Sequence, residues 1–145
     1  MGIEIYDFNQ LSNQMLYQIL KLRVDVFVAD QNCPYPELDN KDQSAQHVVG
    51  YESNELSSYL RIYYPDDASA AIGRIVTREQ DRGRGLATKM MKFAMDRIIE
   101  ESKANKIIIQ AQEHLVSYYS EFGFKPTSEV YVWDGIPHVD MEYEI

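Results

Sequence analysis

Residues 80–88 read Gln80-Asp81-Arg82-Gly83-Arg84-Gly85-Leu86-Ala87-Thr88 and fall between a β-rich run and a helical one. Glycines at a strand-to-helix junction let main-chain N–H groups approach an anion, and the helix N-terminus adds favourable partial charge. The same glycines would serve a tight turn that needs positive φ and no ligand. Charge weighs between the readings. From Arg74 to Lys92 the cations Arg74, Arg78, Arg82, Arg84, Lys89 and Lys92 face only Glu79 and Asp81, a local surplus in a chain of net charge -9. A basic island in an acidic chain suits a polyanion. The dinucleotide fingerprint requires Gly or Ala where Thr88 stands, and the Gly-Lys-Ser/Thr of a nucleotide P-loop is absent. The pattern present is Gln-x-x-Gly-x-Gly, formed by Gln80, Gly83 and Gly85. Thr88 and Arg82 or Arg84 could add hydroxyl and guanidinium contacts, although arginines beside Glu79 and Asp81 equally suit a solvated surface.

Other reactive types are sparse. Cys33 is the sole cysteine, which excludes an internal disulfide and a cysteine-based zinc site, and with no basic neighbour it reads as a packed thiol. Asp39, Asp42 and His47 have donor atoms suited to a metal, but their spacing fits no metal motif, so no metal is expected. Leu115, Tyr118, Tyr119 and Phe122 suit a helix face packed on a sheet, yet adjacent tyrosines cannot point the same way, so at least one lies outside the core.

The elements that must position these residues follow from periodicity. Alternation at Ile3, Ile5, Tyr6 and Phe8 predicts a first strand, and Leu16, Ile19, Leu20, Arg23, Val24 and Phe27 recur at helical spacing behind a candidate cap, Ser12. Residues 47–52, 57–64 and 70–77 read as three strands, and residues 84–103 as an amphipathic helix. Ile107, Ile108 and Ile109 suggest a strand buried on both faces in a parallel pair. A short helix over 113–122 ends at Gly123, and strands at 128–133 and 139–143 flank Asp134-Gly135. The expected fold class is α+β, a mixed, mostly antiparallel central sheet flanked by helices, in one domain over residues 1–145.

Composition agrees: 45% apolar and 26% charged residues in 145 positions suit one globular domain. The acidic balance argues against nonspecific contact with nucleic acid or an anionic membrane. No apolar run nears the roughly 18 residues of a membrane span, and the first residues lack a secretory pattern, so a cytoplasmic location is expected.

The chain resembles the GNAT superfamily of N-acetyltransferases, whose first motif has the Gln-x-x-Gly-x-Gly pattern. Leu22-Arg23-x-x-Val26-Phe27-Val28, Gln31-Asn32-Cys33-Pro34-Tyr35, Ala111-Gln112-x-His114-Leu115, Tyr119-x-x-Phe122-Gly123-Phe124 and Gly135-Ile136-Pro137-His138 look like its ElaA branch. The resemblance implies the GNAT-like acyl-CoA N-acyltransferase fold, with the strands at 70–77 and 106–111 splayed to admit the pantetheine arm of acetyl-CoA. It places the pyrophosphate on amides of the glycine loop, including Leu86, and the pantetheine against amides near Ile75, Val76 and Thr77. The amide at or next to Ile75 would face the thioester oxygen. Gln112 falls where many relatives have an Asn that contacts pantetheine.

Acetyl transfer from a thioester to an amine needs a neutral amine, a stabilised oxyanion and a protonated leaving thiolate. The resemblance puts Tyr119 in the place of the general acid, and a phenol of pKa about 10 is protonated at neutral pH. An alkylamine of pKa about 10.4 is only about 1 part in 2,500 neutral at pH 7, a cost of about 4.6 kcal/mol unless a base assists. Candidates for that base or a water relay are His47, His114, Glu113 and Asp30, where ElaA-like sequences commonly carry Glu at the last position; the sequence does not choose among them. Glu37, Asp39 and Asp42 would favour a cationic acceptor if loop 31–42 walls its site, and otherwise form an ordinary acidic surface. A small-molecule or peptide amine is the expected acceptor. A monomer and a homodimer joined at strands bearing exposed Tyr131 and Trp133 both fit, and a non-catalytic acyl-CoA-binding module is the alternative to an enzyme.

Overall fold

The computed structural model describes residues 2–30 and 36–145, Asp30 by its backbone alone. Cys33 and the segment Gln31-Asn32-Cys33-Pro34-Tyr35 lie outside the described residues. Strand β1 (Gly2–Asp7) precedes helix α1 (Asn13–Arg23), capped as expected by Ser12, whose Oγ accepts the Met15 N–H at 3.1 Å. A π-helical turn, Val24–Asp30, follows α1. Strands β2 (Gln46–Glu52), β3 (Glu55–Tyr63) and β4 (Ser69–Thr77) form a meander, with the β2–β3 turn made by Ser53 and Asn54 at φ 52° and 64°. Helix α2 (Leu86–Glu101) crosses to β5 (Lys106–Gln112), and α3 (Val116–Ser120) leads to β6 (Lys125–Pro126), β7 (Tyr131–Trp133) and β8 (Ile136–Glu144). The eight strands make one sheet in the order β1-β2-β3-β4-β5-β8-β6, with β7 also on β8. Among the described residues only β4 and β5 pair in parallel. This is the mixed, mostly antiparallel sheet the sequence implies.

Helix α2 buries Met90, Met91, Ala94 and Ile98 against Val48, Leu60, Ile62, Ile72, Ile107 and Met141. On the opposite face α1 sets Ile19 against Val49, Tyr59 and Val76. The isoleucine run departs from expectation. Ile107 and Ile109 are buried but Ile108 is only partly so and Gln110 is exposed, because α1 packs against β3 and β4 and leaves this face of β5 without a helix. The strand expected at 128–133 shortens to β7, since Ser128 Oγ and not a strand carbonyl accepts the Asp140 N–H, at 2.9 Å. The helix expected over 113–122 begins as a 3-10 turn, Glu113–Leu115, before α3.

Candidate active site

Strands β4 and β5 are joined at Ser69↔Lys106, Ala70↔Ile107 and Ala71↔Ile108 and then part. Beyond Ala71 no residue of β4 has a partner on β5, so its inner edge presents unpaired main-chain groups. A bulge accentuates the separation: Tyr59↔Val76 is followed by Arg61↔Gly73, leaving an extra residue on β4, and Arg74 takes φ 54°. A cleft of about 530 Å³ fills the gap, lined by Ile75, Val76 and Thr77 on one side and Ile109, Gln110 and Gln112 on the other, with Arg82, His114, Tyr119 and His138 around it. An adjoining cleft of about 600 Å³ shares Gly73, Arg74, Ile109 and Gln110 and adds Tyr63, Asp140 and Glu142.

At the end of β4 the loop is held from below. Asp81 is buried and accepts from Ser57 Oγ at 2.7 Å, Arg84 Nη2 at 2.6 Å and Arg78 Nε. The Arg78 hydrogen bond, aided by Ser57, keeps the Asp81 carboxyl below the usual carboxylate range. Gln80, Arg82, Gly83, Arg84 and Gly85 are exposed above this anchor, while Leu86 drives the start of α2 into the core. Gly83 and Gly85 have φ 79° and 72°, and nothing lies within 4 Å of a Cβ built at either. Helical pairing begins only at Lys89 N–H to Gly85 O, 3.2 Å, so the N–H groups of the first turn remain available.

The basic island is smaller than its sequence suggests. Arg74 pairs with Glu37 and Asp39, Arg78 with Glu55 and Asp81, and Arg84 with Asp81. Arg82 donates to Thr77 O at 3.1 Å and, like Lys89 and Lys92, has no ion pair among the described residues. Thr88 Oγ1 lies 2.9 Å from Tyr118 OH, joining α2 to α3, so its hydroxyl already has a partner within the fold.

The adjacent tyrosines diverge. Tyr118 stays partly exposed, whereas Tyr119 is 8% exposed, edge-on to Tyr118 at 5.2 Å and to Phe124 at 6.4 Å. The Tyr119 hydroxyl has no hydrogen-bond partner among the described residues, and burial, reinforced by Tyr118, pushes its pKa up to about 12. Gly123 is required behind it: at φ 102° a Cβ would meet the Tyr143 ring at 3.0 Å.

Two expectations fail on burial. His47 lies inside the protein, its Nε2–H donating to Asp42 O at 2.9 Å and its Nδ1 accepting from Tyr59 OH at 2.6 Å. Burial lowers its pKa, and with both nitrogens engaged away from the cleft it is neither the base nor a metal ligand. The loop carboxylates are not free for a cationic acceptor either. Arg23 Nε binds Glu37 Oε2 at 2.7 Å and its Nη1 binds Asp42 Oδ1 at 2.9 Å; Arg61 Nη1 bonds Asp42 Oδ1 and Asp39 Oδ1, each at 2.9 Å; Arg74 Nε binds Glu37 Oε2 at 2.7 Å. Burial would raise the Asp39 and Asp42 carboxyls, but the guanidinium hydrogen bonds outweigh it, lowering Asp42 and holding Asp39 well below the carboxylate range. The clue was Arg23, which stands on the apolar face of α1 and is fully buried. A guanidinium at such a position demands acidic partners. Among the described residues no group of three His, Cys, Asp or Glu side chains could hold a metal ion. Of the other bases, His114 lines the cleft, Glu113 is exposed outside its lining, and the Asp30 side chain lies outside the described residues. His138, to which nothing in its sequence neighbourhood assigns chemistry, lines the cleft opposite Gln112 in the β5–β8 register.

A family model described as an acetyltransferase (GNAT) domain matches residues 9–145. Protein ElaA of Escherichia coli K12 is 37% identical over 141 residues, covering 94% of this chain and 92% of that protein. The crystal structure of Escherichia coli ElaA superposes with a TM-score of 0.94 at 34% identity, covering 99% of this chain and 100% of the other. The crystal structure of an acyl-CoA N-acyltransferase from Pseudomonas aeruginosa gives 0.93 at 33% identity, with 98% of both chains covered.

Proposed function

The chain belongs to the GNAT acetyltransferase family, in its ElaA-like branch, and on that premise we propose that it moves the acetyl group of acetyl-CoA to a primary amine by direct attack. The observation that carries this reading is the parting of β4 and β5 after Ala71↔Ile108, which leaves a cleft beside unpaired main-chain groups. The pantetheine arm of the donor lies along Ile75, Val76 and Thr77 as a missing strand would, with Gln112 on the far side. Its diphosphate rests on the amides from Gln80 through Gly83 and Gly85 to Leu86, where the exposed glycine backbone fits an anion. Arg82, the cation of that loop without an ion pair among the described residues, supplies charge; Arg84 and Thr88 assist by exchanging their internal partners. The main-chain amide beside Ile75, out of register at the bulge, faces the developing oxyanion. Tyr119 gives its proton to the departing sulfur. Its phenol is protonated across the neutral range and lies in the cleft wall without a competing acceptor among the described residues.

Calorimetry with acetyl-CoA and with desulfo-CoA, followed by thiol release in the presence of a panel of free amines, polyamines and peptides, tests the reading. Binding of both ligands together with amine-dependent turnover is expected. Tyr119→Phe should lower kcat roughly 10²-fold with coenzyme affinity nearly unchanged. Binding without turnover on any amine would instead leave a non-catalytic acyl-CoA module, and absence of binding would end the proposal.

A further inference from the structure

We propose that His138 is the general base that takes the proton from the acceptor amine, an inference that rests on the acyl-transfer reading above. His138 Nδ1 is 2.7 Å from Ile136 O, and because a carbonyl only accepts, the ring proton sits on Nδ1 and Nε2 carries the lone pair. Nε2 has no hydrogen-bond partner among the described residues. The ring is 6% exposed, stacked on Tyr131 at 6.1 Å and set edge-on to Trp133 at 5.3 Å, so it cannot swing away from the cleft without breaking both contacts.

Position separates the two proton carriers. Along β8 the core side chains Val139 and Met141 alternate with His138, Asp140 and Glu142, so His138 shares the sheet face of the adjoining cleft that Asp140 and Glu142 line. Tyr119 packs in the cluster on the α2 side. Both line the same opening where β4 and β5 part. Among the described residues, the ionisable and charged groups that share the cleft with His138 are Asp134 from the β7–β8 hairpin and Glu37, Arg74, Arg82, His114 and Tyr119 from the other elements, while Tyr131 stacks on its ring and holds Asp140 of the same strand.

The protons balance. His138 Nε2 accepts one from the ammonium, and the freed nitrogen pair forms the C–N bond at the thioester carbon. The C–S bond breaks with its pair on sulfur, which takes the Tyr119 hydroxyl proton. The second amine proton restores the phenol through water, and His138 releases its own to solvent, giving amide, thiol and one free proton.

The test uses the whole chain with acetyl-CoA and two simple nucleophiles: propylamine, a cation at neutral pH, and hydroxylamine, largely neutral there. His138→Asn keeps an amide donor where Nδ1–H stood and removes the Nε2 lone pair. Its rate with propylamine should fall roughly 10²-fold while its rate with hydroxylamine changes less than about threefold. Equal loss with both nucleophiles, or no loss with propylamine, overturns the base role. Long-range ¹H–¹⁵N correlation spectra of the unsubstituted protein at mildly alkaline pH need no variant: a protonated Nδ1 and bare Nε2 at His138 are expected, and the opposite tautomer overturns the proposal. If the unsubstituted protein consumes no thioester with either nucleophile or with any amine of the panel above, the acyl-transfer reading fails and the base role falls with it, whereas a failure confined to His138→Asn leaves that reading intact.

Discussion

Arg74 Nε donates to Glu37 Oε2 at 2.7 Å, tying the bulge of β4 to the segment before β2, although Arg74 must hold a φ of 54° to do so. Left-handed backbone costs a non-glycine residue roughly 1–2 kcal/mol. The same Glu37 oxygen also serves the fully buried Arg23. The two ends of this contact are therefore unequal. Arg74→Gly loses a partly exposed pair but relieves the backbone, and should stay within about 1 kcal/mol of the native stability. Glu37→Gln takes one of two carboxylates from the buried Arg23 guanidinium, leaving it Asp42 alone, and should cost about 3 kcal/mol. Urea melts of the two variants check the order, and a larger loss for Arg74→Gly would refute it.

Asp42 accepts from Arg23 and Arg61 and titrates below its unfolded value of about 3.9. A group depressed on folding contributes stability above its unfolded pKa, and that contribution drains away as pH falls toward the folded one. Asp42→Asn should lose about 3 kcal/mol at neutral pH and show a Tm that falls less steeply than the native protein's below about pH 4. Parallel acid limbs in the two melting series would contradict this.

For Tyr119, raised to about 12, alkaline titration lies beyond the working range. No descending limb in kcat/KM is expected below about pH 10, and the Tyr119→Phe profile should run beneath the native one with the same shape. A fall near pH 9 that disappears in the phenylalanine variant would show a more acidic phenol than burial permits.

Gly85→Ala isolates the loop's backbone requirement, since a methyl group there meets no atom within 4 Å but must adopt φ 72°. A stability loss of about 1 kcal/mol is expected from conformation alone. With a diphosphate approaching the same open surface, acetyl-CoA affinity measured by calorimetry should drop at least about tenfold; unchanged affinity would move the anion elsewhere.

Local patterns carried most of the architecture. The Ser12 cap and the amphipathic α2 depend on neighbours a few residues apart and stand where periodicity puts them, whereas the helix expected to run to Gly123 ends at Ser120, a short turn before it. The glycine loop was legible for the same reason. What escaped notice depends on residues distant in sequence. The arginine–carboxylate network joins α1, β3, β4 and the segment before β2, so reading Glu37, Asp39 and Asp42 singly made them look like acceptor-site charges. His47 looked available until Tyr59 and the Asp42 carbonyl enclosed it. His138 becomes a candidate only through the β5–β8 register and the hairpin that stacks Tyr131 and Trp133 on it.

The seam holding the two halves of the sheet together spans three residue pairs, and two of its members are the buried alanines Ala70 and Ala71. Side chains no larger than methyl let the two backbones meet closely there, and Ala71 itself lines the adjoining cleft. A larger side chain at the fully buried Ala70 would have no space to enter and would press on the pairing that joins the two halves.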